Sequence, residues 1–174
     1  MEQIYEFPDE YDEQGIFSGD ENKDLDIFLE KVTETDNSLN IDLITKAYWF
    51  CVDHHRGKLR KSEFPYYTHP LNVTLILMKE LSIYDEQSIV ASLLHDTIED
   101  VESVTREKIA NEFSEEIAEI VDAVTKIDEP DKELINLVKN EKELIKIKKA
   151  ETYRKLFLSL VKDVRVILIK LADR

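Results

Sequence analysis

The chain has 174 residues, of which 43% are hydrophobic and 35% are charged, with three Gly, four Pro and one Cys. This length fits one domain with a sizeable core, and so few Gly, Pro and Cys residues exclude collagen-like, low-complexity and disulfide-scaffold proteins. The single Cys51 cannot form an internal disulfide. No apolar run reaches the ~20 residues of a membrane span, and the acidic N-terminus differs from a basic targeting peptide. We therefore expect a cytoplasmic protein that binds no membrane.

The negative charge is concentrated near the N-terminus. Residues 1–40 contain 13 of the 38 acidic side chains and only two basic ones, whereas residues 41–174 carry a net charge of only −4. We expect an acidic tail over residues 1–24, either a solvated leader or an arm for a specific partner, and one domain over residues 25–174. Because no basic stripe is present, this domain is not expected to bind nucleic acid.

Apolar residues recur at helical spacing along most of the chain. Asp24 is predicted to cap the first helix, and Ser38 or Asn40 the second. Residues 56–69 contain Gly and Pro and are predicted to form a loop. Pro70 then fits the first turn of the next helix.

The second half of the chain continues this helical pattern. Asp85 is predicted to cap one helix with the sequence DEQSIVASLLHDTIED, and Thr105 and Ser114 to begin two more. Residues 127–145 fit either an ordered helix or a mobile excursion. The run VRVILIKLADR is rich in β-branched residues, but the sequence offers no second strand to pair with it, so we predict a buried helix. The expected fold is one all-α domain.

Four side chains of the metal-ligand type occur where a helical bundle can bring them together, namely His69, His95, Asp96 and Asp173. His95 and Asp96 are consecutive in an otherwise apolar helix, where a buried charge is costly unless it is neutralised. A divalent cation would neutralise it, and mixed imidazole and carboxylate ligands favour Mn, Fe or Zn over Ca or Mg. The alternative is a buried histidine and a helix-capping pair without any metal.

Glu99 and Asp100 follow His95 and Asp96 by one helical turn. Residues at this spacing share a face of the helix. They are therefore candidates to orient or deprotonate a water molecule at the metal.

A basic segment precedes His69 in a chain otherwise poor in positive charge, with Arg56, Lys58, Arg60 and Lys61. Such a segment suits a phosphate-bearing substrate, because Arg can hold phosphate through two hydrogen bonds or stack on a base. A solvated basic loop is the alternative. Tyr66 and Tyr67 are predicted to pack and to form hydrogen bonds. Together with the candidate metal ligands, the segment favours a metal-assisted phosphohydrolase.

Three segments resemble, in the same order, those of the HD-type hydrolase domain of RelA/SpoT homologues, the enzymes that control guanosine tetra- and pentaphosphate. HRGKLRKSEFPYYTHP is similar to the family's HxGQxRKSGEPYxxHP segment, and SLLHDTIEDV is similar to its LLHDxxED segment. The stretch ending in KLADR is similar to the family's helix pair with that ending. The resemblance covers residues 41–174 and points to the long bifunctional type.

The resemblance implies an HD-domain helical bundle in which Mn²⁺ is held by His69, His95, Asp96 and Asp173. It implies that Glu99 and Asp100 serve the attacking water during cleavage of the 3′-diphosphate. It also implies that the nucleotide is bound by Arg60, Lys61 and Ser62, with Arg60 against the guanine. The products would be pyrophosphate and GDP or GTP, as required for degradation of guanosine tetra- and pentaphosphate in the stringent response.

The chain departs from this family pattern in two respects. Lys58 stands where the family often has Gln, and Glu63-Phe64 where it usually has Gly-Glu. The family also continues past KLADR with further helices, so the hydrolase domain is expected to be C-terminally incomplete. Two alternatives to a hydrolase of guanosine tetraphosphate are a non-catalytic scaffold or regulatory module and an HD phosphohydrolase for another nucleotide.

Overall fold

The structure is a computed structural model that describes residues 15–36, 38–128 and 141–174. Within these ranges the chain is helical and contains no strand, apart from an isolated bridge between Leu59 and Pro65. This confirms the predicted all-α fold class. None of the helices in this part of the chain is long and apolar enough to cross a membrane.

The helices are α1 (Glu21–Thr35), α2 (Ile41–His55), α3 (Thr68–Lys79), α4 (Glu86–Leu94), α5 (Thr97–Asp100), α6 (Arg106–Glu112), α7 (Glu115–Asp128), α8 (Glu141–Lys162) and α9 (Val164–Ala172). Helix α4 is central, because it packs against α2, α3, α7 and α9 and is buried from Ser88 to Leu94. Most buried apolar side chains come from these five helices. The core therefore surrounds the helix that ends immediately before His95.

Polar side chains cap several helices at the positions that the sequence indicated. Asn40, Asp85, Thr105 and Ser114 each accept a hydrogen bond from the backbone amide three residues further along. Each bond satisfies an amide that has no partner within its own helix. These predicted starts are confirmed.

The predicted start of α1 is wrong, because Asp20 and not Asp24 caps this helix. Asp24 is instead fully buried, with its carboxylate accepting hydrogen bonds from the Ser18 amide and hydroxyl, the Gly19 amide and the Tyr67 hydroxyl. Phe17 is also fully buried. Packing against the core thus begins before residue 25, while the division into a tail and a domain stays a prediction.

The helix predicted over DEQSIVASLLHDTIED is in fact two helices, α4 and α5, separated by His95 and Asp96. The Ser92 carbonyl accepts a hydrogen bond from His95 Nδ1 at 2.7 Å, and the Leu94 carbonyl accepts one from Thr97 Oγ1 at 2.6 Å. These side chains take carbonyls that a continuous helix would pair with its own amides. The interruption places the His-Asp pair at a turn.

The other predicted boundaries are partly confirmed. Helix α3 begins at Thr68, so Pro70 lies in its first turn as predicted, but His69 belongs to the helix and not to the loop. The sequence left residues 127–145 as either an ordered helix or a mobile excursion. Residues 129–140 of this segment lie outside the described residues. Residues 164–172 form α9, a helix as predicted, but only one face of it is buried, since Val164 and Leu171 are more than half exposed.

Candidate metal centre

Three separate parts of the fold bring the four candidate ligands together. His69 lies in the first turn of α3, His95 and Asp96 lie between α4 and α5, and Asp173 follows the last residue of α9. Helix α9 packs against both α3 and α4, which carries Asp173 to the two imidazoles. The sequence-predicted ligand set is therefore assembled by packing between helices distant in the chain.

The donor atoms of these side chains face one another. Asp173 Oδ1 lies 2.9 Å from His69 Nε2 and 3.5 Å from His95 Nε2. The carboxylate oxygens of Asp96 lie 3.1 Å from His95 Nε2 and 3.7 Å from His69 Nε2. Ligand atoms of His69, His95 and Asp173 all lie within 4.8 Å of one another, a separation that one metal ion can bridge.

The chemistry of His95 fits a metal ligand. A carbonyl can only accept, so the bond to the Ser92 carbonyl fixes the hydrogen on Nδ1 and leaves the lone pair of a neutral ring on Nε2. Nε2 is buried and has no hydrogen-bond partner, although carboxylate oxygens of Asp96 and Asp173 lie nearby. Several acceptors around one point suit a cation, and an imidazole held through its other nitrogen is the usual form of a metal-bound histidine.

The electrostatics of the cluster show how strongly its members interact. Burial alone would raise the pKa of Asp173, but the two histidines and Lys170 hold it well below its usual range. Burial would also lower the pKa of His95, yet the carboxylates of Asp96 and Asp173 outweigh burial and raise it. The protein thus keeps two carboxylates charged in a largely buried place.

Lys170 was missed by the sequence analysis. Its side chain is only 7% exposed, and Nζ lies 3.0 Å from Asp173 Oδ2. Residues three apart are neighbours on a helix, so the spacing of Lys170 and Asp173 was the available signal. The lysine holds the oxygen of Asp173 that does not face the histidines.

Tyr66 connects the candidate ligands to the predicted catalytic carboxylate Asp100. Its hydroxyl donates to Asp96 Oδ2 at 2.7 Å, and burial together with the nearby carboxylates of Asp96 and Asp100 raises the pKa of this hydroxyl well above its usual range. Burial would raise the pKa of Asp96, but His95 and this hydrogen bond lower it. Glu99 and Asp100 are both exposed residues, although the Asp100 side chain by itself is only 21% exposed. The structure thus links Asp100 to the ligand cluster.

The basic segment is divided between different partners. The Arg56 guanidinium pairs with Glu21 and Asp53, and the Lys58 ammonium pairs with Asp100, so these two charges already have acidic partners. The prediction that all four basic residues face a phosphate-bearing substrate therefore does not hold for Arg56, whose guanidinium pairs with Glu21 and Asp53.

The predicted nucleotide-binding residues face different surfaces. Arg60 lines a cavity of about 170 Å³ together with His69 and Asp173. Lys61 and Ser62 are exposed, and Ser62 faces a second depression beside Gly19. Of these three residues, Arg60 is the one that shares a cavity with candidate metal ligands.

The chain was compared with models of protein families. The model of the HD domain matches residues 47–174, which include every candidate metal ligand and both predicted catalytic carboxylates.

Three curated relatives are similar in sequence to most of the chain. The chain is 45% identical over 135 residues to a GTP pyrophosphokinase of Myxococcus xanthus, covering 78% of this chain and 16% of that protein. It is 40% identical over 146 residues to the GTP pyrophosphokinase rsh of Brucella melitensis, covering 84% and 18%. It is 44% identical over 131 residues to a guanosine-3′,5′-bis(diphosphate) 3′-pyrophosphohydrolase of Aquifex aeolicus, covering 75% and 16%. The chain thus spans less than one fifth of the length of these relatives.

Proposed function

The chain belongs to the HD domain family, in its RelA/SpoT type, and from this membership we propose that it is a Mn²⁺-dependent 3′-pyrophosphohydrolase of guanosine tetra- and pentaphosphate. The products are pyrophosphate and GDP or GTP, and the reaction belongs to the cytoplasmic stringent response. The observation that carries the proposal is the cluster of His69, His95 and Asp173, whose ligand atoms lie within 4.8 Å of one another. The Aquifex aeolicus relative, named for this reaction, supports the choice of substrate.

The proposed metal ligands are His69, His95, Asp96 and Asp173. Two imidazoles and two carboxylates suit Mn, Fe or Zn better than Ca²⁺ or Mg²⁺, which prefer oxygen ligands. Among these metals, the choice of Mn²⁺ rests on the resemblance to the RelA/SpoT hydrolase domain. When bound, such a cation supplies Lewis-acid chemistry at a phosphoryl oxygen.

The proposed roles of the neighbouring carboxylates follow from their position. Asp100 accepts a proton from the attacking water, and Glu99, on the same turn of helix, orients that water. A positioned carboxylate in this role accelerates a reaction by about 10²–10⁴-fold. The Tyr66 hydroxyl donates to Asp96, and the Lys58 ammonium, which lies over the Tyr66 ring, pairs with Asp100.

The nucleotide is held by Arg60, Lys61 and Ser62 in this proposal. Arg60 lines the cavity that contains His69 and Asp173, so its planar guanidinium can stack on guanine or hold a phosphate beside the cluster. Lys61 and Ser62 are exposed next to it in the chain and can contact the nucleotide from the solvent side.

Pyrophosphate release from guanosine tetraphosphate tests the proposal. The chain, purified without chelator and supplied with Mn²⁺, is expected to release pyrophosphate only weakly, and Glu99→Gln is expected to lose most of this activity while still binding Mn²⁺. GTP, which has no 3′-diphosphate, serves as the control substrate. Bound metal is measured separately by elemental analysis of each protein.

The two alternatives correspond to different results. Metal binding without release of pyrophosphate from any guanosine 3′-diphosphate would favour a non-catalytic scaffold or regulatory module. Hydrolysis of nucleotides that lack a 3′-diphosphate, at rates equal to or above those for guanosine tetraphosphate, would favour an HD phosphohydrolase for another nucleotide.

A further inference from the structure

Asp100 is surrounded by three side chains from a different part of the chain, and we call His55, Lys58, Tyr66 and Asp100 the Asp100 cluster. The Lys58 ammonium forms an ion pair with Asp100 Oδ2, and His55 Nε2 lies 3.6 Å from the same oxygen. Tyr66 contacts both of these side chains, and the Asp100 carboxylate lies close enough to raise the pKa of its hydroxyl. Asp100 itself ends α5, a helix of only four residues, so its position depends on these partners more than on its own helix.

His55 is a fixed part of the cluster. Its side chain is fully buried at the end of α2, and Nδ1 donates to the Cys51 carbonyl at 2.9 Å. This bond leaves the lone pair of the neutral ring on Nε2, which is buried, has no hydrogen-bond partner and points toward Asp100. Burial lowers the pKa of His55, despite the opposing effect of Asp100. A neutral His55 therefore limits the space open to the Asp100 carboxylate by packing, and it provides neither a hydrogen-bond donor nor a positive charge to that carboxylate.

Tyr66 and Lys58 complete the enclosure. The Tyr66 ring stacks on His55 with centroids 4.9 Å apart, and the Lys58 ammonium lies 4.1 Å from the centre of the Tyr66 ring. The stacked His55 fixes the plane of the Tyr66 ring, and the ring in turn supports Lys58 by a cation–π contact. The Lys58 ammonium, the only positive charge in the Asp100 cluster, thus lies directly over the ring of Tyr66.

We infer that His55, Lys58 and Tyr66 form one positioning unit, which holds the Asp100 carboxylate beside Asp96 and acts on the reaction only through Asp100. The inference rests on the proposed function, because it assigns these side chains a part in that reaction. Lys58 is then a positioning residue and not a substrate contact, although it lies in the basic segment.

A double-mutant cycle between Lys58 and Asp100 tests this inference in the metal-loaded chain. Lys58→Met keeps the length of the side chain and removes its charge, and it is expected to lower kcat for guanosine tetraphosphate about tenfold while KM and Mn²⁺ affinity change less than about twofold. In an Asp100→Asn background the same substitution is expected to lower kcat by less than about twofold. Arg56→Met, which removes a neighbouring basic side chain paired elsewhere, is the control and should leave kcat unchanged.

Two kinetic results would overturn the inference. If the double variant lowers kcat by the product of the two single-variant factors, Lys58 acts independently of Asp100. A rise in KM without loss of kcat would mean that Lys58 binds the substrate.

A readout without catalysis separates this inference from the proposed function. In the metal-free chain, NMR coupling constants of Asp100 should report one side-chain rotamer in the wild type and averaging between rotamers in Lys58→Met and Tyr66→Phe. Unchanged couplings in both variants would refute the positioning unit even if the chain is an active hydrolase. A single rotamer that is lost in the variants would support it even if no pyrophosphate is released.

Discussion

Asp24 and Asp173 are both removed from solvent for the most part, but their surroundings differ in kind. The Asp24 carboxylate has four partners, and all are fixed donors, namely two backbone amides and two hydroxyl groups. The Asp173 carboxylate faces one ammonium and two imidazole nitrogens, with a second carboxylate, Asp96, close by. Asp24 is satisfied by the protein alone, whereas the centre at Asp173 contains more acceptors than fixed donors.

This difference separates a structural carboxylate from a carboxylate of the candidate metal centre. Buried acceptors are stable when protein donors saturate them, and the Asp24 site leaves no acceptor capacity for a cation. At Asp173, a neutral His95 adds a lone pair, because its one hydrogen lies on Nδ1 and is donated to the Ser92 carbonyl, whereas a neutral His69 donates from Nε2 in only one of its two tautomers. We therefore expect substitutions at Asp24 to change folding stability, and substitutions at Asp173 to change metal binding.

The largest expected effect is the loss of stability in Asp24→Ala. The substitution leaves one buried donor, the Tyr67 hydroxyl, and three partly buried donors without their acceptor. Because an unsatisfied donor costs about 1–3 kcal/mol when it is buried and less when water can reach it, the free energy of unfolding should fall by about 3–5 kcal/mol. Urea denaturation in the presence of a chelator measures it. Asp26→Ala, at an exposed position of the same helix, should change the free energy by no more than about 0.5 kcal/mol. A loss below about 1 kcal/mol at Asp24 would contradict its structural role.

The next effect concerns stabilisation by metal. Mn²⁺ at about 100 times its dissociation constant should raise the free energy of unfolding of the wild type by about 2.7 kcal/mol. His95→Ala and Asp173→Asn should lose this increase, whereas Asp100→Asn, outside the proposed ligand set, should keep it. Thermal or urea unfolding with and without Mn²⁺ provides the measurement. An equal increase in wild type and His95→Ala would refute the four-ligand assignment.

The smallest expected effect concerns a third carboxylate, Asp163, which caps α9 near the surface. It accepts hydrogen bonds from the Arg165 amide and guanidinium, and Arg165 lowers its pKa below the ordinary value of 3.8. A lowered pKa in the folded state stabilises the protein above pH 3.8, and this stabilisation is lost as the pH falls through the lower value. Asp163→Asn should therefore cost about 1 kcal/mol or less near neutral pH.

A pH series of urea denaturation curves for wild type and Asp163→Asn checks this sign. The difference in the free energy of unfolding between wild type and Asp163→Asn should shrink steadily as the pH is lowered below 3.8. A difference that grows in acid would mean that the charge of Asp163 does not contribute to stability.

The fold could be predicted where it depends on local chemistry. Apolar periodicity and polar caps such as Asn40 and Asp85 indicated the helices, because both act within a few residues. The interruption between α4 and α5 was missed, because the hydrophobic pattern continues through it and only the side-chain bonds of His95 and Thr97 break the helix. The burial of Asp24 was missed because it depends on Tyr67, 43 residues away.

The candidate site was predictable to a similar extent. Residue type singled out the His95 and Asp96 pair, since such side chains are rare in apolar helices. The resemblance to the RelA/SpoT hydrolase domain supported the full set with His69 and Asp173. The pairing of Lys58 with Asp100 could not be predicted, because a basic residue near a proposed phosphate site was expected to face the substrate. Only the packing of α2 against α5 reveals that it faces a carboxylate.

The contact between His69 and Asp173 joins residues 104 positions apart in the sequence. Closing so long a loop carries an entropic cost that must be met before the contact can form. The ligand set is therefore complete only in molecules where α9 has already docked on α3 and α4. Binding of Mn²⁺ would thus report the docking of α9, and a chain that has collapsed around α4 without α9 would hold the metal weakly. The affinity for Mn²⁺ would therefore measure the fraction of molecules in which α9 is docked.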